Sequence, residues 1–147
     1  MTRIISSIVS LPILLAIIYF GTPFHFFLLL EFAIFIGLYE FYRMIEKGGL
    51  GCYKWAGIIL GILLSFAVFK GAYINLVIAA SVIILFIIRI FEGNNPPTPP
   101  FIKGGQGGFS YVSNTIFGIV YVSFLMSYLG VIRNSGDNGR ELIFFVL

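Results

Sequence analysis

An all-α, polytopic transmembrane helical bundle is the fold class this chain predicts, and three observations predict it. Hydrophobic residues make up 59% of the 147 and charged residues only 10%, for a mean hydropathy of +1.04. Soluble domains carry about 25% charged and about 45–50% apolar residues, so a water-facing surface cannot be assembled from this inventory. The apolar residues are gathered into runs that reach, or nearly reach, the ~20 residues a helix needs to cross a ~30 Å hydrocarbon core. The runs are also continuous, whereas barrel strands alternate and extend only ~9–11 residues. Five spans are expected, at 4–20, 24–42, 55–69, 73–90 and 111–132, with the start of a sixth at Leu142 that reaches Leu147.

The first run follows Arg3. No small-x-small cleavage pattern follows Phe20, and Gly21-Thr22-Pro23 leads straight into the next run, so an uncleaved span is expected. Pro12 predicts a kink in it, and Ser6 and Ser10 predict a small-residue contact face. The second run ends in an aromatic and charged stretch. The third is the shortest; Gly57, Gly61 and Ser65 recur four apart along it, a stripe that permits close helix contact. Lys70-Gly71-Ala72 joins it tightly to the fourth. The segment 93–108 holds Pro96, Pro97, Pro99 and Pro100, then Gly104, Gly105, Gly107 and Gly108, and sustains neither helix nor strand. It lacks the strand, the helix and the Gly-Lys-Ser/Thr ending of a phosphate-cradling loop, and reads as a low-complexity cytoplasmic loop. Asn114-Thr115 opens the fifth run, with Gly118 and Tyr121 on nearly the same face.

Basic residues give the orientation. With the N-terminus inside, Arg3, Arg43, Lys47, Lys54, Arg89 and Lys103 are cytoplasmic and outnumber Lys70, Arg133 and Arg140 outside. A multi-pass protein of the cell membrane with a cytoplasmic N-terminus is therefore expected. The net charge of +3 is spread between apolar runs and forms no basic patch, so no nucleic-acid partner is expected. The lone Cys52 excludes an internal disulfide. His25, the single histidine, has no Asp, Glu or Cys at ligand spacing, and no metal role is expected for it. No catalytic, cofactor-binding or metal-binding residue can be assembled from this chain alone. Membrane lipid is the expected partner, and a homo-oligomer is compatible with the runs.

Four residues are candidate contacts for a lipid cavity or headgroup. Glu31 is the one acid well inside a span; a charge there costs about 2.5–3.5 kcal/mol on insertion scales, so the group should be neutral, paired or facing a polar cavity. Depth places Ser65, Ser81 and Ser123 near its level. Glu31 serves equally as a cavity-lining residue or as a protonated carboxyl bridging helices. Arg43 has a guanidinium that matches phosphate geometry, and a snorkelling arginine at the membrane edge is the simpler reading. Asn114 and Tyr121 border a polar entrance or merely cap and pack the helix.

Three stretches, in order and at consistent spacing, resemble the N-terminal half of the phosphatidate cytidylyltransferase (CDP-diglyceride synthase) family. They are Arg3-Ile4-Ile5-Ser6-Ser7-Ile8-Val9 with Leu11-Pro12; Leu38-Tyr39-Glu40-Phe41-Tyr42-Arg43-Met44; and Thr115-Ile116-Phe117-Gly118-Ile119-Val120-Tyr121-Val122 with Leu125 and Ser127-Tyr128-Leu129. Arg133 sits where the family often carries an arginine. The resemblance implies a membrane nucleotidyltransferase of phospholipid synthesis that couples CTP to phosphatidic acid, giving CDP-diacylglycerol and pyrophosphate. It implies Mg2+ as cofactor, with the metal-binding aspartates and a Ser-Pro-Lys-Lys-Thr signature expected downstream of Leu147. On this reading residues 1–147 are the N-terminal transmembrane part of one domain, without its catalytic half and inactive alone. Asp137, the single aspartate, takes no catalytic role, and the 93–108 segment departs from the family pattern. The alternative is a non-enzymatic membrane scaffold or transporter-like subunit, in which Glu31 would serve transport or assembly.

Overall fold

The computed structural model describes residues 22–92 and 108–134, together with Glu141 and Ile143. Every regular element among them is helical: α1 (Pro23–Lys47), α2 (Lys54–Lys70), α3 (Ile74–Glu92), α4 (Gly108–Gly118), a π-helical segment (Ile119–Phe124) and α5 (Leu125–Arg133). The last three run on as one long helix. The expected second to fifth spans each fall on a helix, with ends displaced by a few residues into polar flanks.

The expected total of five spans and the start of a sixth is corrected. Among the described residues three helical stretches, Phe24–Lys47, Ile74–Glu92 and Phe109–Arg133, are long and apolar enough to cross a membrane. The first expected span and most of the sixth lie outside the described residues, as do Ser6, Ser10, Pro12 and the 93–107 segment. The expected third span, α2, has 17 residues, which at 1.5 Å per residue reaches only ~26 Å. Its setting explains the shortness. Gly57, Ile58, Leu60, Gly61, Leu64, Ser65, Ala67 and Val68 are all buried along α2, whereas α3 buries Ser81 and Leu85 alone. A helix packed by other helices on all but one stripe, at Trp55, Ile59, Leu63 and Phe66, meets less lipid and need not match its thickness. On α3, Leu76, Ile83, Ile87, Ile90 and Phe91 are instead exposed, as expected of a helix whose solvent is hydrocarbon.

Tight ends set the hairpins. At the end of α1 the amides of Gly48 and Leu50 donate to the carbonyls of Met44 and Ile45, at 3.0 and 3.1 Å. Gly71 closes α2 in the left-handed region at φ 65°. The Gly71 and Ala72 amides there reach back to Val68 and Ala67, the paired bonds of a glycine-terminated helix end.

Glycine contacts give the register of the bundle. Tyr42 lies against both Gly57 and Gly118, Leu38 and Ser123 against Gly61, and Leu30 and Phe69 against Gly130. Numbers rise together along α2 and the long final helix and fall along α1. Those two helices therefore run parallel to each other and antiparallel to α1. Leu30, Ile34, Leu38, Tyr42 and Ile58 form the core between α1 and α2. Leu60, Leu64, Val68, Leu85, Val112 and Ile119 form that between α2, α3 and the long helix.

Candidate functional site

Polar side chains gather in two places, at the α1–α2 turn and at mid-depth in the bundle. The first is built around Thr115. Its hydroxyl follows the helical habit of donating to the carbonyl four residues back, Tyr111, at 2.7 Å. The same oxygen accepts the Tyr53 amide at 2.8 Å, and the Thr115 carbonyl accepts the Tyr42 hydroxyl at 2.9 Å. One turn of α4 thus holds both the end of α1 and the start of α2. Beside it, the Asn114 amide donates to the Gly51 carbonyl at 2.9 Å and to Ser110 Oγ at 3.4 Å. Gly51 is needed where it is, because a Cβ there would fall inside the Tyr111 ring.

Charges close the rim. Lys54 pairs with Glu46 at 3.2 Å and lies 4.2 Å above the Tyr39 ring. Tyr53 donates to Glu92 at 2.6 Å, and Arg89 stands 4.0 Å from the same carboxylate. Burial pushes the Cys52 thiol up to about 11; the Glu46 charge adds to this and Lys54 opposes it. The Tyr53 phenol is raised chiefly by burial and then by its bond to Glu92.

At mid-depth, both carboxyl oxygens of Glu31 are buried without a hydrogen-bond partner, and so are the hydroxyls of Ser65 and Ser123. The Ser65 hydroxyl is the side chain that bears on the Glu31 carboxyl, although no bond of good geometry closes between them. Ser123 Oγ faces the bare backbone of Gly61, one turn before Ser65 on α2. Depth counting from the sequence is thus right for Ser65. It fails for Ser81, which donates to the Val77 carbonyl of its own helix at 2.7 Å and lines the α2–α3 groove instead.

The four candidate residues are not brought to one place. Glu31 lies at mid-depth beside Ser65. Arg43 is exposed near the polar end of α1. Asn114 is occupied with Ser110 and the α1–α2 turn. Tyr121 is 57% exposed on the outside of the π-helical segment, its ring stacked on Phe117 at 5.5 Å with Phe41 beyond. Asn114 and Tyr121 share a face only while the α-helical period holds. The π-helical turn that begins at Ile119 is wider and breaks that phase. Thr115, Tyr42 and Tyr53 carry the polar centre at the turn, and their residue types alone do not announce it. His25 shares a 2.6 Å hydrogen bond with Thr22 at the start of α1.

A comparison with protein-family models decides the family: that of the cytidylyltransferase family matches residues 1–147. The chain belongs to the cytidylyltransferase family. This agrees with the resemblance carried by its three motifs. No curated protein and no solved structure matches it. Among the described residues of this cytidylyltransferase-family chain, no group of three His, Cys, Asp or Glu could hold a metal ion. The Mg2+ that the resemblance implies therefore has no donor set among them, and no catalytic step can be derived through it here.

Proposed function

We propose that this chain serves an integral-membrane nucleotidyltransferase that makes CDP-diacylglycerol and pyrophosphate from CTP and phosphatidic acid in phospholipid synthesis. The observation that carries the reading is the family match along residues 1–147, on a chain whose described helices are apolar enough to cross a membrane. It favours the enzyme over the non-enzymatic scaffold. In the proposed reaction a lipid phosphate oxygen bonds to the α-phosphorus of CTP. The bond from that phosphorus to the bridging oxygen breaks, and pyrophosphate leaves.

Within this reaction the described helices supply a scaffold and a lipid-facing wall. The Thr115 centre holds the α1–α2 turn in place, and Arg43, exposed at the same end of α1, is the candidate contact for a lipid phosphate. The reading places the N-terminus and this end of the bundle in the cytoplasm, the side where CTP is found.

A chimaera tests the proposal. Residues 1–147 are substituted for the equivalent stretch of an active phosphatidate cytidylyltransferase, and vesicles are supplied with CTP, phosphatidic acid and Mg2+. Formation of CDP-diacylglycerol is expected from the chimaera. A folded but inactive chimaera would refute the assignment.

A further inference from the structure

The face that α2 and α3 turn to the hydrocarbon is not closed. Between them lies a groove of about 480 Å3, a volume in the range of small-molecule clefts. Small side chains make room for it, Ala67 on α2, Ala72 in the turn and Ala80 on α3. Its walls at Leu63, Leu76 and Ile84 are exposed, so it opens sideways to lipid. The one hydroxyl along its length, on Ser81, already donates to the Val77 carbonyl. Polar groups stand at one end only. Lys70 lines the mouth with its ammonium 5.7 Å from the centre of the Phe66 ring. Tyr73 forms the other lip, exposed and at φ 60°, a left-handed conformation rare for a bulky residue. Lys70 pairs with no carboxylate among the described residues. The stretch of α2 from Leu60 to Lys70 rises about 15 Å, half of a ~30 Å hydrocarbon core. At Leu60 the groove ends, where that side chain and the fully buried Leu85 belong to one core.

We propose that this groove binds one acyl chain of an anionic phospholipid whose phosphate pairs with Lys70. Length selects a chain over a helix. A packed helix is ~10 Å wide and follows its neighbour through the whole ~30 Å core, whereas the groove stops at mid-depth, where the chains of one leaflet stop. Apolarity selects lipid over water or a water-soluble ligand, because apolar cavities do not hold water. Charge selects the headgroup. A zwitterionic headgroup brings its own ammonium beside Lys70, and an anionic one offers its phosphate without that competitor. The carbonyls at the end of α2 do not occupy the lysine instead, since those of Ala67 and Val68 already accept the amides of Ala72 and Gly71. The site is at the end of α2 away from Lys54 and the Thr115 centre. It is therefore separate from the Arg43 contact of the proposed reaction and does not depend on that reaction.

Native mass spectrometry of the 147-residue chain supplies the experiment. The chain is released from micelles doped with equal amounts of dioleoyl phosphatidylglycerol and dioleoyl phosphatidylcholine. One phosphatidylglycerol per chain is expected to survive collisional activation, with about fivefold preference over phosphatidylcholine, the worth of one lysine near an anionic lipid. Lys70→Gln, a change at an exposed side chain, should bring the two lipids to parity. Ala80→Phe should fill the groove and lower retention of both by about fivefold or more, with circular dichroism confirming that its helices form. Val120→Phe, in the separate hollow between α3 and the long helix, should retain lipid like the parent. No retention or equal retention of the two lipids by the parent would overturn the proposal. So would an unchanged preference in Lys70→Gln, undiminished retention in a helical Ala80→Phe, or loss of retention in a helical Val120→Phe. A lipid-free dimer dispersed by Ala80→Phe would give the groove to a second copy of the chain and overturn it too.

Discussion

The Tyr42 ring is held between two glycines on two different helices, and this makes Gly118→Ala a sharp test of the bundle's register. A Cβ on Gly118 would stand 2.6 Å from Tyr42 Cε1 and 2.7 Å from its hydroxyl oxygen. Ordinary heavy-atom contact is ~3.5–4.0 Å, so the ring or α4 must shift by about 1 Å. The ring cannot retreat, because a Cβ at Gly57 on the other side would already be 2.8 Å from Tyr42 Cε2, which shows how closely the α2 backbone lies. Moving α4 instead strains the Tyr42–Thr115 and Tyr53–Thr115 hydrogen bonds. Overpacking of this kind costs about 1–3 kcal/mol, and loss of one interhelical hydrogen bond in a membrane about 0.6–1.7 kcal/mol. Gly118→Ala should therefore destabilise the bundle by about 2 kcal/mol, measured by reversible unfolding in mixed micelles followed by circular dichroism. Tyr42→Ala is destabilising on its own but removes the obstacle. In that background Gly118→Ala should be nearly neutral, a coupling of about 1 kcal/mol or more in a double-mutant cycle. Additive effects, or a Gly118→Ala variant as stable as the parent, would refute the register.

Four further outcomes follow from the polar end of the bundle, the groove and the proposed orientation. Because the Cys52 thiol is pushed up to about 11, its alkylation by iodoacetamide should rise about tenfold per pH unit through pH 8–10. Glu46→Gln should speed it and Lys54→Gln slow it, and a plateau near pH 9 would contradict the burial. Asn114→Ala, losing its bond to the Gly51 carbonyl, should cost about 1 kcal/mol and speed amide exchange in residues 48–52, read by mass spectrometry; unchanged exchange would show that the turn is held without it. Ser81→Ala should change stability in mixed micelles by less than about 0.5 kcal/mol, since its hydroxyl serves its own helix; a larger loss would show that the hydroxyl bridges helices. The proposed orientation predicts that Lys47→Cys, in a chain with Cys52→Ser, is labelled by an impermeant maleimide from the cytoplasmic side and Lys70→Cys from the other; the reverse pattern would overturn it.

How much of this was legible beforehand can be judged residue by residue. Helices at the second to fifth runs were, because transfer of an apolar stretch out of water is a local property summed along the chain. So were the end signals, lysines and glycines at Lys47-Gly48 and Lys70-Gly71, which satisfy terminal carbonyls in any helix. The family was legible through motifs whose order survives without knowledge of any contact. The mid-span position of Glu31 was legible too, and so was Ser65 as its neighbour by depth. Ser81 was not separable from Ser65 on that basis, since depth says nothing about which way a helix is turned. The face shared by Asn114 and Tyr121 was misread because the π-helical segment changes the period, and Ile119-Val120-Tyr121-Val122-Ser123-Phe124 carries no local mark of it.

By itself, then, the sequence determined the solvent this protein requires, the helices that meet it and the family to which the chain belongs, all of them sums over local or collinear information. Only the tertiary structure decided that α2, more apolar than α1, is the central helix of the bundle, that Tyr42 lodges between Gly57 and Gly118, and that Thr115 ties three segments together. It also decided that Ser65 faces Glu31, while Ser123 is turned onto the bare backbone of Gly61. These depend on which small residues let which helices approach, a property of pairs of surfaces at a fixed rotation and depth, and no single stretch of chain contains it.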